Sequence, residues 1–442
     1  MNILFVVDSL SDVAGANVNI VKILIGIIRH RDCKVHVLAK SDCKRPISDT
    51  LKAEFDFVYL LPSDKVEIVP NLYKMVNAHN PKLKEMIWLL NHPGVFWKAI
   101  DSAFFDAICT RKEYSKNIEK ICENSNIDVV IGVAAPYCIA RAVSEANVKA
   151  LKTVYQLDPY TNNYTLSIRK RKKRKRIERK TIDLLDVLFL PDFVKNDIEE
   201  LEVSVSNDKF VETNLPGIVV DNLYRNNTSE KLIKNKKTTE FVFAGRLYDD
   251  IRNPKPLLQL FAILPDNYKL HILGSGCEKE IKQYKKVLGD KLIYHGLVSK
   301  READNYVEKA DVLINIDNTI KNQMPSKVLE YICQQKRIIN ICLDETCLAA
   351  RLVLKYENGI NICINSKSMY ENAEIVKTFL RRDIGMIKAN DVISNYEKYT
   401  DQFVAKTILE TIYKLCDLSG RQNVQKFGCP QSEKTVDKCE VH

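Results

Sequence analysis

At 442 residues the chain exceeds what one hydrophobic core usually serves, so two domains of about two hundred residues are expected. Hydrophobic content of 45% beside 28% charged residues is ordinary for a soluble globular protein. The net charge of +10 is local: residues 169–180 hold ten basic residues and one Glu, a net of +9, which leaves the rest near neutral. That excludes a globally basic nucleic-acid binder, and no specific nucleic-acid partner is expected.

The first half alternates strand and helix patterns. A strand at residues 2–7 follows Met1 directly, without the basic and apolar regions of a secretory signal. The loop Ala14-Gly15-Ala16-Asn17 leads to a helix at 17–28, whose Ile20, Ile23, Leu24, Ile27 and Ile28 recur at helical spacing. That segment carries Lys22 and is far too short to span a bilayer. Further strands are predicted at 34–38, 57–61, 128–133, 150–156 and 187–190, with a helix at 136–146. Residues 72–123 read as mostly helical, broken at Asn91-His92-Pro93-Gly94. Alternating strands and helices imply parallel pairing through right-handed crossovers, a doubly wound sheet. Thirteen cysteines, without a C-x-x-C pair, argue for reduced thiols and a cytoplasmic location.

Tyr155-Gln156-Leu157-Asp158-Pro159 follows the fifth strand; Asp158 before Pro is both a turn former and a candidate base. Then come eight uninterrupted cations: Arg169, Lys170, Arg171, Lys172, Lys173, Arg174, Lys175 and Arg176. Successive helical residues turn about 100°, so these would cover every side of a helix, and the run must be solvated or lie against polyanions. An anionic membrane attracts roughly 1 kcal/mol per basic residue near it, ample for peripheral association. A solvated mobile segment, and nuclear targeting or RNA binding, would use the same charges.

Leu215-Pro216-Gly217 ends this pattern, and the lysine-rich residues 225–239 suit a linker. The strand EFVFAGRL (240–247) ends on Gly245-Arg246, with Arg252-Asn253-Pro254 shortly after. A second strand (269–273) runs into Gly274-Ser275-Gly276, and a third (292–296) closes on His295-Gly296. The apolar strand 311–317, the segment from Asn322 through Pro325, Ser326 and Lys327 to Glu330, and the strand 337–341 make a βαβ unit whose helix opens at Pro325. Such a helix start aims free N–H groups at the carboxyl ends of the strands, where a phosphate can be held. Glu330, two turns into the helix, is placed to accept hydrogen bonds from paired ribose hydroxyls. Six alternating units extend to about residue 395, followed by a helix at 401–415 and an aperiodic tail, 419–442, expected to be disordered. Neither G-x-x-x-x-G-K-[ST] nor G-x-G-x-x-G is present, and neither is D-x-D nor a metal-spaced cluster, so no obligatory metal or cofactor is expected.

The order of these glycine motifs and their registration with Met324-Pro325-Ser326-Lys327 resemble the retaining GT-B glycosyltransferases of the large family four type. The variant M-P-S-K-hydrophobic-x-E-Y is common among bacterial polysaccharide and glycolipid enzymes. The resemblance covers residues 239–345 closely and the rest by element order. It implies an α/β protein of GT-B fold, with two doubly wound Rossmann-like domains facing a cleft. Residues 1–215 would form the acceptor domain, with the helix 400–418 packing back on it; residues 236–395 would bind the nucleotide sugar. The resemblance gives Arg246 and Lys327 the departing diphosphate, with Arg252 standing in for a lysine the family places at the position of Ile251. It puts Asp158 near the anomeric carbon, and Gly15, Gly245, Gly274, Gly276, His295, Asn322, Pro325, Ser326 and Glu330 around the substrate. Two departures stand out. Asn322 occupies the place of the family's first glutamate, and the first glycine-rich loop keeps only Gly15. The implied partners are a nucleotide-sugar donor (UDP-sugar by preference), a saccharide or lipid-linked acceptor, and the inner face of an anionic plasma membrane. A non-catalytic GT-B subunit and a UDP-sugar epimerase of similar fold are the rival expectations.

Overall fold

The computed structural model describes residues 1–10, 24–26, 28–29, 31, 33–40, 52–53, 55–61, 108–161, 168–200, 209–226, 237–319, 324, 326–382, 385 and 387–418. The expectations for Gly15, Asn322, Pro325, residues 17–23 and 72–107, the linker 227–236 and the tail 419–442 lie outside the described residues.

The first half forms a seven-stranded sheet in the order β3-β2-β1-β4-β5-β6-β7. Its strands are β1 (Asn2–Ser9), β2 (Lys34–Lys40), β3 (Phe57–Leu61), β4 (Val129–Val133), β5 (Leu151–Tyr155), β6 (Val187–Leu190) and β7 (Phe210–Glu212). All neighbouring pairs are parallel. The helices are α1 (Ile108–Ser125), α2 (Tyr137–Glu145), α3 (Ile168–Asp183), α4 (Asp192–Glu200) and α5 (Val220–Asn226). In β4 and β6 every residue is buried, as a parallel strand covered on both faces demands.

The second half builds a six-stranded parallel sheet, β10-β9-β8-β11-β12-β13. These are β8 (Thr239–Ala244), β9 (Tyr268–Leu273), β10 (Leu292–Gly296), β11 (Val312–Ile316), β12 (Arg337–Cys342) and β13 (Gly359–Cys363). Around them lie α6 (Lys255–Ile263), α7 (Glu278–Leu288), α8 (Lys300–Lys309), α9 (Lys327–Cys333), α10 (Leu348–Leu354), α11 (Met369–Arg381), α12 (Ala389–Tyr396) and α13 (Asp401–Leu418). Side chains alternate across β8: Phe241 and Phe243 enter one apolar cluster with Leu257 and Phe261 of α6 and Phe379 of α11, while Val242 and Ala244 enter another. That second cluster is continuous with the core of the first sheet, and Val404, Ile408, Leu409 and Ile412 of α13 belong to it. Tyr413 Oη lies 3.6 Å from Cys33 Sγ, so α13 touches the first half directly. The two chain crossings are stitched together at Ile218, whose N–H donates to Tyr399 and whose carbonyl accepts from Asp401.

Both sheets carry the doubly wound order, in which chain progression reverses between β1 and β4 and again between β8 and β11. Connections leave such a point in opposite directions, which opens a crevice at the carboxyl ends of the strands.

Candidate functional site

The crevice over β8 and β11 gathers most of the expected residues. β8 runs out into Gly245 and Arg246; Arg246 is exposed and lies over the Tyr248 ring, 5.2 Å from its centroid. The loop beyond is tied across the crevice, with Thr319 N–H donating to Ile251 O at 2.9 Å and Thr319 Oγ1 to Asp250 O at 2.8 Å. Arg252 braces the same gap. Its Nε and Nη2 donate to Asn318 Oδ1 at 3.2 and 2.7 Å, and Nη1 reaches the Arg246 carbonyl at 3.4 Å. Burial lowers the Arg252 pKa from its ordinary value, against the opposing pull of Tyr248, Asp317 and Tyr331. Arg252 therefore holds two strand-end loops together and keeps only part of its donor set for a ligand. Asn318 is a site residue that no sequence motif marked.

Gly274 and Gly276 have a specific backbone reason. At φ +136° a Cβ on Gly274 would fall 1.8 Å from the Gly245 carbonyl oxygen; on Gly276, at φ +104°, it would fall 2.1 Å from that of Leu247. The close approach they permit is of loop on loop. Gly245 N donates to Leu273 O and Leu247 N to Ser275 O, both at 2.9 Å, which carries the β8–β9 pairing past the ends of the strands.

Across the crevice stands α9. It starts at Lys327 and is seven residues long, so Glu330 lies in its first turn, not two turns in, and Ser326 is its N-cap without a side-chain cap bond. So short a helix leaves the side chains, more than a long dipole, to set the local charge. Lys327 Nζ lies 3.4 Å from Glu330 Oε2, each side chain about a third exposed. Burial pulls the Lys327 pKa down, but the Glu330 carboxylate and neighbouring groups outweigh it, and the net shift is upward. The opposite face of α9 is fixed: buried Tyr331 accepts from Ala244 N at 3.2 Å through its hydroxyl. Leu329 presses on the domain crossing so closely that a Cβ on Gly217 would lie 2.5 Å from Leu329 Cβ.

Between these parts sits Asp317, 6% exposed, with Oδ1 accepting from Asn318 N at 2.8 Å and Oδ2 buried without a partner. Burial raises its carboxyl pKa to about 6. His295 ends β10 in a hydrogen-bonded row with His271 of β9 and Glu240 of β8, at 2.9 and 2.6 Å. Glu240 and His271 escaped the sequence reading because only the sheet register brings them to His295. Among the described residues no three His, Cys, Asp or Glu side chains gather as metal ligands.

In the first half, Asp158 lies just past the carboxyl end of β5. Its side chain stays open to solvent, yet the protein around it raises its pKa by desolvation. The basic run forms most of α3, and it is not wholly solvated. Arg174 donates to Tyr160 O at 3.0 Å and stacks over the Tyr160 ring at 4.5 Å, and Tyr160 in turn stacks on Tyr137. Arg171 and Lys175 are also half-buried, and Glu178, Thr181 and Ile182 are buried at helical spacing. That stripe docks one face of the helix, and the expectation that cations surround it with solvent is corrected accordingly. Arg169, Lys170, Lys172, Lys173, Arg176, Arg179 and Lys180 remain exposed, and none pairs with a carboxylate among the described residues. Arg176 and Lys180 border a cavity of about 190 Å³ shared with Arg141, Ser144 and Glu145 of α2.

Comparison with known proteins accords with this geometry. Residues 225–398 match the family model of glycosyl transferases group 1. A search of curated proteins finds no match. Among solved structures the chain is similar to the lipopolysaccharide outer core galactosyltransferase WaaB in its apo form, at 14% identity and a TM-score of 0.55 over 94% of this chain and 100% of that one. It is similar to Anabaena Alr3699/HepE in complex with UDP and glucose, at 11% identity and a TM-score of 0.61, with the same coverages. It is also similar to UDP-GlcNAc 2-epimerase from Neisseria meningitidis bound to UDP-GlcNAc, at 11% identity and a TM-score of 0.54, again over 94% and 100%. Identities this low speak to fold alone. The chain has the GT-B fold, and residues 225–398, most of its second half, match the glycosyl transferases group 1.

Proposed function

We propose that this protein is a retaining glycosyltransferase that moves a sugar from a nucleotide-diphospho-sugar, UDP-sugar by preference, to a saccharide or lipid-linked acceptor. The observation that carries this reading is that Arg246 follows the end of β8 while α9, tied to β8 by the Ala244 N–H donating to Tyr331 Oη, bears Lys327 and Glu330 together in its first turn. The group 1 match over residues 225–398 supports glycosyl transfer. Breaking the anomeric bond gathers negative charge on the departing diphosphate, and preorganised cations lower the barrier for that step. Arg246 and Lys327 would take this charge, with the remaining donors of Arg252 behind them. Glu330 would accept from the ribose hydroxyls. With no carboxylate pair assigned as nucleophile and acid, front-face substitution is the mechanism we favour: the acceptor oxygen bonds the anomeric carbon as the diphosphate leaves, and a diphosphate oxygen takes the acceptor proton. Asp158, with its raised pKa, would orient the acceptor hydroxyl.

The exposed cations of α3 fit an acceptor held at an anionic membrane face. Seven of them, even half engaged, would supply about 3 kcal/mol at roughly 1 kcal/mol each. No described helix is long and apolar enough to cross a membrane, so the association would be peripheral.

The test is a panel of nucleotide sugars with purified protein, scored by transfer or hydrolysis, alongside calorimetry with UDP. Glu330→Ala should weaken UDP binding while leaving the melting temperature unchanged. Absence of binding to any nucleoside diphosphate would overturn the reading in favour of a non-catalytic GT-B subunit. Interconversion of the free UDP-sugar without transfer would favour an epimerase.

A further inference from the structure

Glu240, His271 and His295 stand on three adjacent strands, β8, β9 and β10, and form one hydrogen-bonded row. Glu240 Oε2 lies 2.6 Å from His271 Nε2, and His271 Nδ1 lies 2.9 Å from His295 Nε2. The two imidazole planes are 11° apart, and Tyr306 of α8 packs against both rings, 5.4 and 4.5 Å away. An ionised carboxylate can only accept, so His271 carries its proton on Nε2. Its Nδ1 is then an acceptor, which obliges His295 to donate Nε2–H. A neutral imidazole has one N–H, and so His295 Nδ1 is left as a bare lone pair. That nitrogen has no partner among the described residues and is not sealed from solvent.

The placement of this lone pair matters. His295 lies at the carboxyl end of β10, next to Gly296, whose carbonyl receives the Gly274 N–H at 2.7 Å. β10 is two strands from β8, about 10 Å at ordinary strand spacing, a distance comparable with that from the diphosphate to the base of a nucleotide. Helix α8 borders both ends of the interval: the charge of Asp304 acts on Lys327, while Tyr306 holds His295. Leu297, two residues further on, is 84% exposed and offers an apolar surface at the same strand end.

We infer that Glu240 and His271 are positioning residues that fix His295 Nδ1 as an acceptor for the base edge, so that the site takes bases with a ring N–H beside a carbonyl, uracil or guanine, over cytosine or adenine. Cytosine and adenine present a ring-nitrogen lone pair where uracil and guanine present the N–H. This rests on the nucleoside-diphosphate reading above. The groups facing the row are Glu240 from β8, His271 from β9, and Glu302 and Tyr306 from α8. Burial and His271 hold the His295 pKa below the ordinary imidazole value, with Glu302 opposing, which favours the neutral ring.

Calorimetry with UDP and CDP at pH 8, on the full chain, tests the inference together with nitrogen NMR of the His295 ring. The unmodified protein should bind UDP at least about tenfold more tightly than CDP, the size of one well-placed hydrogen bond. His271→Phe keeps a ring against Tyr306 but removes the bond, and the preference should fall below about threefold with UDP binding retained. Glu240→Gln, whose amide can also donate, should shift the His295 Nδ1 resonance towards the protonated form. Equal affinities for UDP and CDP in the unmodified protein, or a protonated Nδ1 in its spectrum, would overturn the inference. Failure to bind either nucleotide would overturn the nucleoside-diphosphate reading itself.

Discussion

Replacing Gly274 with alanine tests whether the loop-on-loop contact frames the crevice. The added Cβ would stand 1.8 Å from the Gly245 carbonyl oxygen and 2.8 Å from its carbon, at a φ of +136° that L-residues rarely adopt. Neither atom can swing away, since both are backbone. The loop must lift, straining or breaking the bonds Gly245 N to Leu273 O, Leu247 N to Ser275 O and Gly274 N to Gly296 O. Backbone strain of 1–3 kcal/mol together with about 1 kcal/mol per lost bond gives a cost of about 3–5 kcal/mol. Gly289 is the control: at φ +52° and ψ −131° nothing lies within 4 Å of its Cβ position, so Gly289→Ala adds no clash and costs backbone strain alone, about 1–3 kcal/mol. At about 2–4 °C per kcal/mol for a domain of this size, Gly274→Ala should melt roughly 10 °C lower and the control only a few degrees lower. UDP calorimetry on the folded variants should show a loss for Gly274→Ala alone. Melting temperatures within about 2 °C of each other, less than 1 kcal/mol by the same conversion, would refute the argument.

Arg246→Ala should slow turnover by about a hundredfold or more if its guanidinium meets the departing charge, and a loss below threefold in a steady-state assay removes it from that role. Asp317 gives a pH test. Burial raises its carboxyl from 3.8 to about 6, so the folded protein binds that proton more tightly than the unfolded chain does; the stabilisation is present in full below about pH 4 and is lost as pH rises through 6. Asp317→Asn should therefore be more stable than the unmodified protein at pH 8, by at most about 3 kcal/mol at 1.4 kcal/mol per unit, and should show no gain at pH 4 in urea titrations. A gain equal at both pH values would separate it from the ionisation. Exchanging Arg169, Lys170, Lys172, Lys173 and Arg176 for Ser and Gln should release the protein from anionic vesicles without altering UDP affinity. Salt should release the unmodified protein too, because screening acts over about 8–10 Å; salt-insensitive or neutral-vesicle binding would exclude the helix as the anchor.

Strands buried on both faces write themselves as unbroken apolar runs, which is why VVIGV and VLINI are legible without a structure. β7, only Phe-Val-Glu with none of the three fully buried, is too short to show a period. The beginning of α9 was legible within a turn, but its short length was not, and Glu330 moved from the second turn to the first. Around α3 the charge run hid the docking stripe, since Glu178, Thr181 and Ile182 lie beyond the eight cations and Tyr160 lies before them. Contacts across strands are harder still. Glu240 precedes His271 by 31 residues and His271 precedes His295 by 24, and nothing local marks three such residues as neighbours. Asn318 escaped for a similar reason, because the residue it serves, Arg252, is 66 positions away.

The way α9 is clamped has a consequence for how a ligand would be met. One side is laced to β8 through Tyr331, and the other is pressed against the crossing at Gly217, with Cys333 Sγ 3.7 Å from the Gly217 carbonyl. Only the edge bearing Lys327 and Glu330 faces outward. The entropy of arranging those two groups is thus spent during folding and does not weigh on each binding event. If nucleotide is bound at this edge, the same clamp couples the interdomain crossing to it: a methyl group on Gly217, 2.5 Å from Leu329 Cβ, would displace the helix and change nucleotide affinity, which calorimetry on Gly217→Ala would read.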